Sequence, residues 1–288
     1  HGTELTLADG SHLPVLARNP VGYRRLVSAI SQHNLDAGHR QEPAHDLTAL
    51  ASALRSDPTD QTEAASGSCL VLTGTANGPL RRALGDPRRP DTWDLKAADA
   101  CLGHLTELFA APDRGRPLAA GPTTTAHRQV EGDAAIGLAV ELTLDGGPTD
   151  AALTDALTRL AHTHRLPLVA TGAVRCARPI DARLADVLTA TRLVTDLEGA
   201  RGHLPAIGRW LRGAQDMALL HRRRPDAVDL AAELASDLAF DLSLIAPDLP
   251  DADVPEGHTP ASWLRELTRQ GATRRYGTPQ EHPRAWEV

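Results

Sequence analysis

Residues 135–174, "AIGLAVELTLDGGPTDAALTDALTRLAHTHRLPLVATGAV", decide the fold. Each end is a short apolar run bounded by turn residues. The middle places Leu153, Leu157 and Leu160 at helical spacing. Strand, helix and strand in succession need a crossover, so the two strands pair in parallel with the helix outside them. The second strand, Leu166 to Val174, runs into the open loop "RCARP". In α/β barrels the loop after such a strand is where catalytic or metal-binding side chains gather.

The same alternation extends in both directions. Upstream, "SHLPVLAR" reads as a strand. "NPVGYRRLVSAISQ" follows as a helix with Tyr23, Leu26, Val27 and Ile30 on one face. "DLTALASALRSD" is a helix with Asp46 as cap, "SCLVLTG" a strand, and "NGPLRRALG" a helix stopped at Gly85. "DTWDLKAADACLGHLTELFA" is a long amphipathic helix. "APDRGRPLAAGPTTTAHRQVEGD" has no period and reads as a loop or insertion. Downstream, "PIDARLADVLTATRL" is the next helix. After residue 193 no strand is expected: a helical run from Asp226, the Pro-rich "SLIAPDLPDADVPEGHTP", and a final helix "ASWLRELTRQGATRRYG" with an Arg-rich end. The expected organisation is an α/β body over 1–193 and a helical, connector-containing region over 194–288. "HGTELTL" opens inside an apolar alternation and "EHPRAWEV" lacks a closing element, so the chain reads as a fragment.

The 288 residues, 41% hydrophobic, suffice for a large core. A net charge of −7 gives no global field for nucleic acid, although 30 basic residues, all but Lys96 arginine, allow a local basic face. Cys69, Cys101 and Cys176 form no CxxC or CxxH pair, which excludes a zinc ribbon or a disulfide framework as the organising device. No apolar run approaches a membrane span and no signal-peptide pattern opens the chain, so a cytoplasmic protein is expected. Aromatics at 3% argue against an extended base-stacking surface. Walker, nucleophile-elbow and dinucleotide fingerprints are absent.

Seven stretches carry a family resemblance. "GTELTL", "LPVLARNPVGYRRL", "LVLTGTANGPLRRAL", "VELTLDGG", "LPLVATGAVRCARP", "AFDLSLIAPDLPDADVPEGHT" and "WLRELTRQGATRRYG" stand in the order and spacing of bacterial C-family DNA polymerases. The resemblance is strongest to the error-prone paralogue of the polymerase III α subunit. It covers nearly the whole chain. It implies most of an N-terminal PHP (polymerase and histidinol phosphatase) domain, a distorted (βα)7 barrel lacking its first strands, followed by a helical region toward the polymerase core. It also implies metal ligands at the barrel's C-terminal rim, Zn2+ or Mn2+ where that site is intact. The family's opening His-x-His and Thr-Asp-His motifs have no counterpart here, nor do the palm aspartates that hold Mg2+.

The resemblance assigns candidate positions one by one. Glu4 matches the Gly-x-Glu metal carboxylate, a vestigial ligand candidate. Asn34 stands where many relatives have His, and an exposed or capping residue is the alternative. Asp145 falls in a ligand loop, although "DGG" is also a turn signal. Gly172 and Arg175 fall where relatives that keep the site carry polar ligands, and Ala185 where they often carry His. A guanidinium stays protonated and cannot ligate a metal, so Arg175 raises two readings: an ion pair with Glu4, or exposure to solvent. His162 and His164 imitate a His-x-His pair, but on a helix residues two apart diverge. Arg222, Arg223 and Arg224 in "HRRRP" are candidates for phosphate contact, against the plainer reading of a solvated helix end.

Two functional readings follow. The first is a non-catalytic, structural PHP portion of an error-prone DNA polymerase. It would bind no cofactor itself, meeting DNA and dNTPs through the full-length parent and bracing the polymerase core and accessory proteins. The alternative is a metal-dependent phosphoesterase or 3′–5′ exonuclease.

Overall fold

The computed structural model describes residues 1–37, 44–55, 68–86, 88–110, 137–205, 207–241 and 253–283. The insertion expected at 111–133 and the first part of the Pro-rich connector lie outside the described residues. The chain divides into two compact units, His1–Leu242 and Ser243–Val288.

The first unit is built on one five-stranded sheet in the order β1-β2-β3-β4-β5. Strands β1 (Gly2–Thr6) and β2 (His12–Ala17) form an antiparallel hairpin. Its turn is held by the Asp9 carboxylate, which accepts from the Ser11 N–H at 2.8 Å and the Ser11 hydroxyl at 2.6 Å. β2 pairs antiparallel with β3 (Cys69–Leu72). β4 (Leu138–Thr143) and β5 (Leu168–Thr171) then add in parallel, as the strand–helix–strand reading requires.

Helices α1 (Pro20–Ala37), α2 (Leu47–Arg55), α3 (Pro79–Leu84), α4 (Leu95–Phe109) and α5 (Asp150–Thr163) follow the strands in the predicted order. Leu5, Leu13, Val15, Val71 and Leu138 join α1, α2 and α4 in one core cluster, and Val140, Leu142, Leu168 and Ala170 join α3, α4 and α5 in the next. Gly22 lets α1 lie flush on the sheet: a Cβ there would stand 1.9 Å from the Ser68 carbonyl oxygen.

Beyond residue 193 the chain does not leave this unit. After α6 (Ala182–Arg192), α7 (Leu197–Ala200) and α8 (Ala214–Leu220), helix α9 (Pro225–Asp237) returns to the opposite face of the sheet. There Leu230, Ala231, Leu234 and Leu238 pack on Leu16, Leu70, Leu72, Ala139 and Val169. The sheet-bearing unit therefore runs past the boundary expected at 193, because α9 buries its apolar stripe on that sheet. Among the described residues the sheet is open, with β1 and β5 at its edges, so a closed barrel is not seen.

The second unit contains α10 (Pro260–Tyr276), where the final helix was expected. Thr259 and Ser262 form a reciprocal capping box, and Gly277 ends the helix at φ 80.

Candidate functional site: a polar rim on the sheet

β4 is buried at every position because it pairs on both sides, which normally selects an unbroken apolar strand. It nevertheless carries Glu141, only 4% exposed, on the same face as Ala139. Glu141 Oε1 accepts from the Thr171 hydroxyl at 2.5 Å. Thr171 and Thr143 share a further hydroxyl bond at 2.9 Å. The Glu141 backbone N–H donates to the Thr73 hydroxyl, whereas Oε2 is buried with no hydrogen-bond partner among the described residues. Burial, with a smaller push from Glu4, holds this carboxyl above its ordinary range against the opposing pulls of Thr171 and Arg81.

Glu4 lies on this same face, paired across the hairpin with Pro14. It is half-exposed, and its Oε1 bonds His12 Nδ1 at 2.8 Å. Of the two readings of Arg175, the ion pair with Glu4 does not form. Arg175 is exposed, and its backbone N–H donates to the Arg209 carbonyl at 2.7 Å. The sheet order is the reason: β1 and β5 are its opposite edges, and β5 ends at Thr171, short of the expected Val174, with Ala173 at a left-handed φ of 41 in the loop that follows.

The rim's counter-charge comes from elsewhere. Arg209 grips Asp145 through Nε at 3.0 Å and through Nη2 at 2.7 and 3.0 Å. Residues 207–211 lie along the rim like a short extra strand. Ile207 N donates to the Asp145 carbonyl, and Cys176 and Trp210 form a parallel bridge. Gly146, at φ 71, makes room for this segment: the Ile207 side chain fills the space where a Cβ would stand, within 2.9 Å. Beneath lies Arg81 of α3, 6% exposed, with no ion pair of its own among the described residues. Burial pushes its pKa down to about 10, against the fields of Asp145, Asp150 and Glu141. Asp150 opens α5, and its carboxylate takes the Gly146 N–H at 2.8 Å.

The other candidates scatter. Asn34 is exposed on α1, Gly172 sits half-buried after β5, and Ala185 is half-buried on α6. Arg223 donates to Asp155 at 2.8 Å, and Arg224 forms a fork with Asp226. Arg222 is exposed and unpaired among the described residues. Glu141, Arg81 and Arg209 were not singled out from sequence. Glu141 had a signal, a lone carboxylate inside "LAVELTL"; Arg209 had none.

This donor set does not fit a divalent cation. Both oxygens of Asp145 are engaged by a guanidinium, and Glu4 is turned to His12. Among the described residues no three His, Cys, Asp or Glu side chains converge on a common point. Nor is any described helix long and apolar enough to cross a membrane.

Sequence comparison finds relatives of this chain. The error-prone DNA polymerase of Mycolicibacterium paratuberculosis is 39% identical over 285 residues, 99% of this chain. Over nearly its whole length the chain is homologous to one segment of proteins named error-prone DNA polymerase. The Mycobacterium tuberculosis H37Rv protein of the same name is 38% identical over 287 residues, and that of Nocardia farcinica 39% over 278 residues, 96% of this chain. The chain spans only about a fifth of the length of these relatives, 22% of the first two and 21% of the third. No family model matches it.

Proposed function

We propose that this chain is a non-catalytic, structural portion of an error-prone DNA polymerase, a PHP-type region that braces the polymerase core. DNA-directed DNA synthesis and translesion repair are activities of the longer parent. DNA and dNTPs reach that parent at its palm, where Mg2+ serves the nucleotidyl transfer. The observation that carries this reading is the Arg209–Asp145 fork. A carboxylate whose two oxygens are both hydrogen-bonded to a fixed cation is withdrawn from metal ligation and from general-base work. Glu141 could hold a proton but has no second free carboxylate beside it: Asp145 is occupied and Glu4 is turned to His12.

Elemental analysis of the purified chain, paired with hydrolysis of a 3′-labelled primer in Mn2+ and in Zn2+, tests the reading. The expected result is less than one bound metal per chain and no release of nucleotide. Two or three tightly bound zinc or manganese ions with primer trimming would establish the alternative, a metal-dependent phosphoesterase or 3′–5′ exonuclease.

A further inference from the structure

A cleft of about 420 Å3 opens beside the rim, between the Gly146–Pro148 turn, the start of α5 and the stretch from Ile207 to Arg223. Its volume is within the range of ligand pockets, about 300–1,000 Å3. Leu144, Ile207, Leu219 and Leu220 supply an apolar wall, and Trp210 a flat one.

The charges are arranged unevenly. Arg223 also faces the cleft but is neutralised by Asp155. Asp150 is turned into its own loop, with buried Arg81 behind it. What remains is Arg212, Arg222 and, on α8, Asp216. Arg212 is held in place: its guanidinium lies 4.0 Å over the Trp210 ring and donates to the Gly208 carbonyl at 2.6 Å. Neither Arg212 nor Arg222 has a carboxylate partner among the described residues. Nearby His221 is 1% exposed with both ring nitrogens unpartnered. Burial first, and Arg212 second, push its pKa down to about 4, so it adds no positive charge at neutral pH.

The cleft thus keeps one net positive charge beside a flat apolar wall, inside a chain whose overall charge is −7. We propose that it binds one phosphodiester unit of a single-stranded nucleic acid, with Arg222 and Arg212 donating to the phosphate oxygens and the Trp210 side taking the adjoining sugar or base. One net charge matches a monoanionic phosphodiester better than a dianionic terminal phosphate. An anion attached to a ring fits the Arg–Trp pair, which an aspartate or glutamate side chain does not. The site narrows the basic cluster to Arg222 and brings in Arg212. It rests on the cleft alone, independently of the structural role proposed above.

Fluorescence anisotropy of labelled oligothymidylate against the 288-residue chain tests it. Binding is expected at low salt with Kd on the order of 10−4–10−6 M, weakening steeply as salt is raised. Arg222→Ala weakens binding about tenfold and lowers the salt slope by about 0.7, one phosphate contact on a single strand. Arg212→Lys, which keeps the charge and loses the planar fork, also weakens it, whereas Arg192→Ala on α6 does not. Circular dichroism checks that each variant is folded; Arg222, exposed and unpaired, is the variant whose loss leaves packing untouched. The proposal is overturned if Arg222→Ala binds like the parent. Polyglutamate competing as well as the oligonucleotide, or thymidine 5′-monophosphate binding where oligothymidylate does not, overturns it too.

Discussion

On the helix-packed face of the sheet, Leu138, Val140 and Leu142 of β4 are fully enclosed by aliphatic neighbours. On the other face the same strand presents Glu141 and Thr143, with Glu4 and His12 on the hairpin beside them. The strand is the same; the surroundings of its two faces are not. The first face is closed by α1 to α5, and the second receives α9 over its apolar positions only. A carboxylate in a strand buried on both sides is costly, and here Thr171 of β5, itself bonded to Thr143 of β4, donates to one of its oxygens while the other has no hydrogen-bond partner among the described residues. Glu4, the carboxylate that the family resemblance offers, lies on this polar face too.

The largest expected effect separates the two faces directly. Leu142→Ala, on the closed face, leaves a cavity and destabilises by about 2–5 kcal/mol, read by urea unfolding. A loss below about 1 kcal/mol would mean the helix layer collapses into the gap and the contrast between faces is weaker than described. Arg209→Ala comes next. It strands Asp145 in a partly buried site and costs about 1–3 kcal/mol after allowance for exposure of the pair. Adding Asp145→Asn to that variant is expected to recover part of the loss, and a double-mutant cycle measures the coupling.

Glu141→Gln probes the polar face through pH. Burial raises the Glu141 pKa in the folded state, so the folded protein binds this proton more tightly than the unfolded chain. The resulting stability is complete below the ordinary carboxylate range and is lost as pH rises through the folded pKa. Glu141→Gln therefore flattens the pH dependence. Its melting temperature exceeds the parent's at about pH 8, by roughly 2–4 °C for each kcal/mol relieved, and matches it near about pH 4. An unchanged profile by calorimetry would place the proton on another group. The smallest effect belongs to Glu4→Ala: it breaks a solvent-exposed pair with His12, worth about 0–1 kcal/mol. A larger loss would make Glu4 part of the buried network after all.

Periodicity along the chain was enough for the strands and helices up to residue 193, though not for α7 and α8. The apolar spacing in 148–165 yields α5, and the runs at 138–143 and 168–171 yield parallel strands, because 3.6- and 2-residue repeats are local properties that burial of one face enforces. The motifs likewise pointed to the relatives that sequence comparison finds. The side chains that meet at the rim could not be found this way. Arg209 and Asp145 are 64 residues apart, in a stretch where no strand was expected. Arg175, the cation the sequence offered, follows β5, which the sheet places at the opposite edge from β1 and Glu4, an order that no local repeat announces. Which guanidinium reaches which carboxylate depends on how loops cross the ends of the strands. Those crossings are fixed by packing between distant segments, Ile207 against Gly146 and α9 against the sheet, and not by any repeat within either segment.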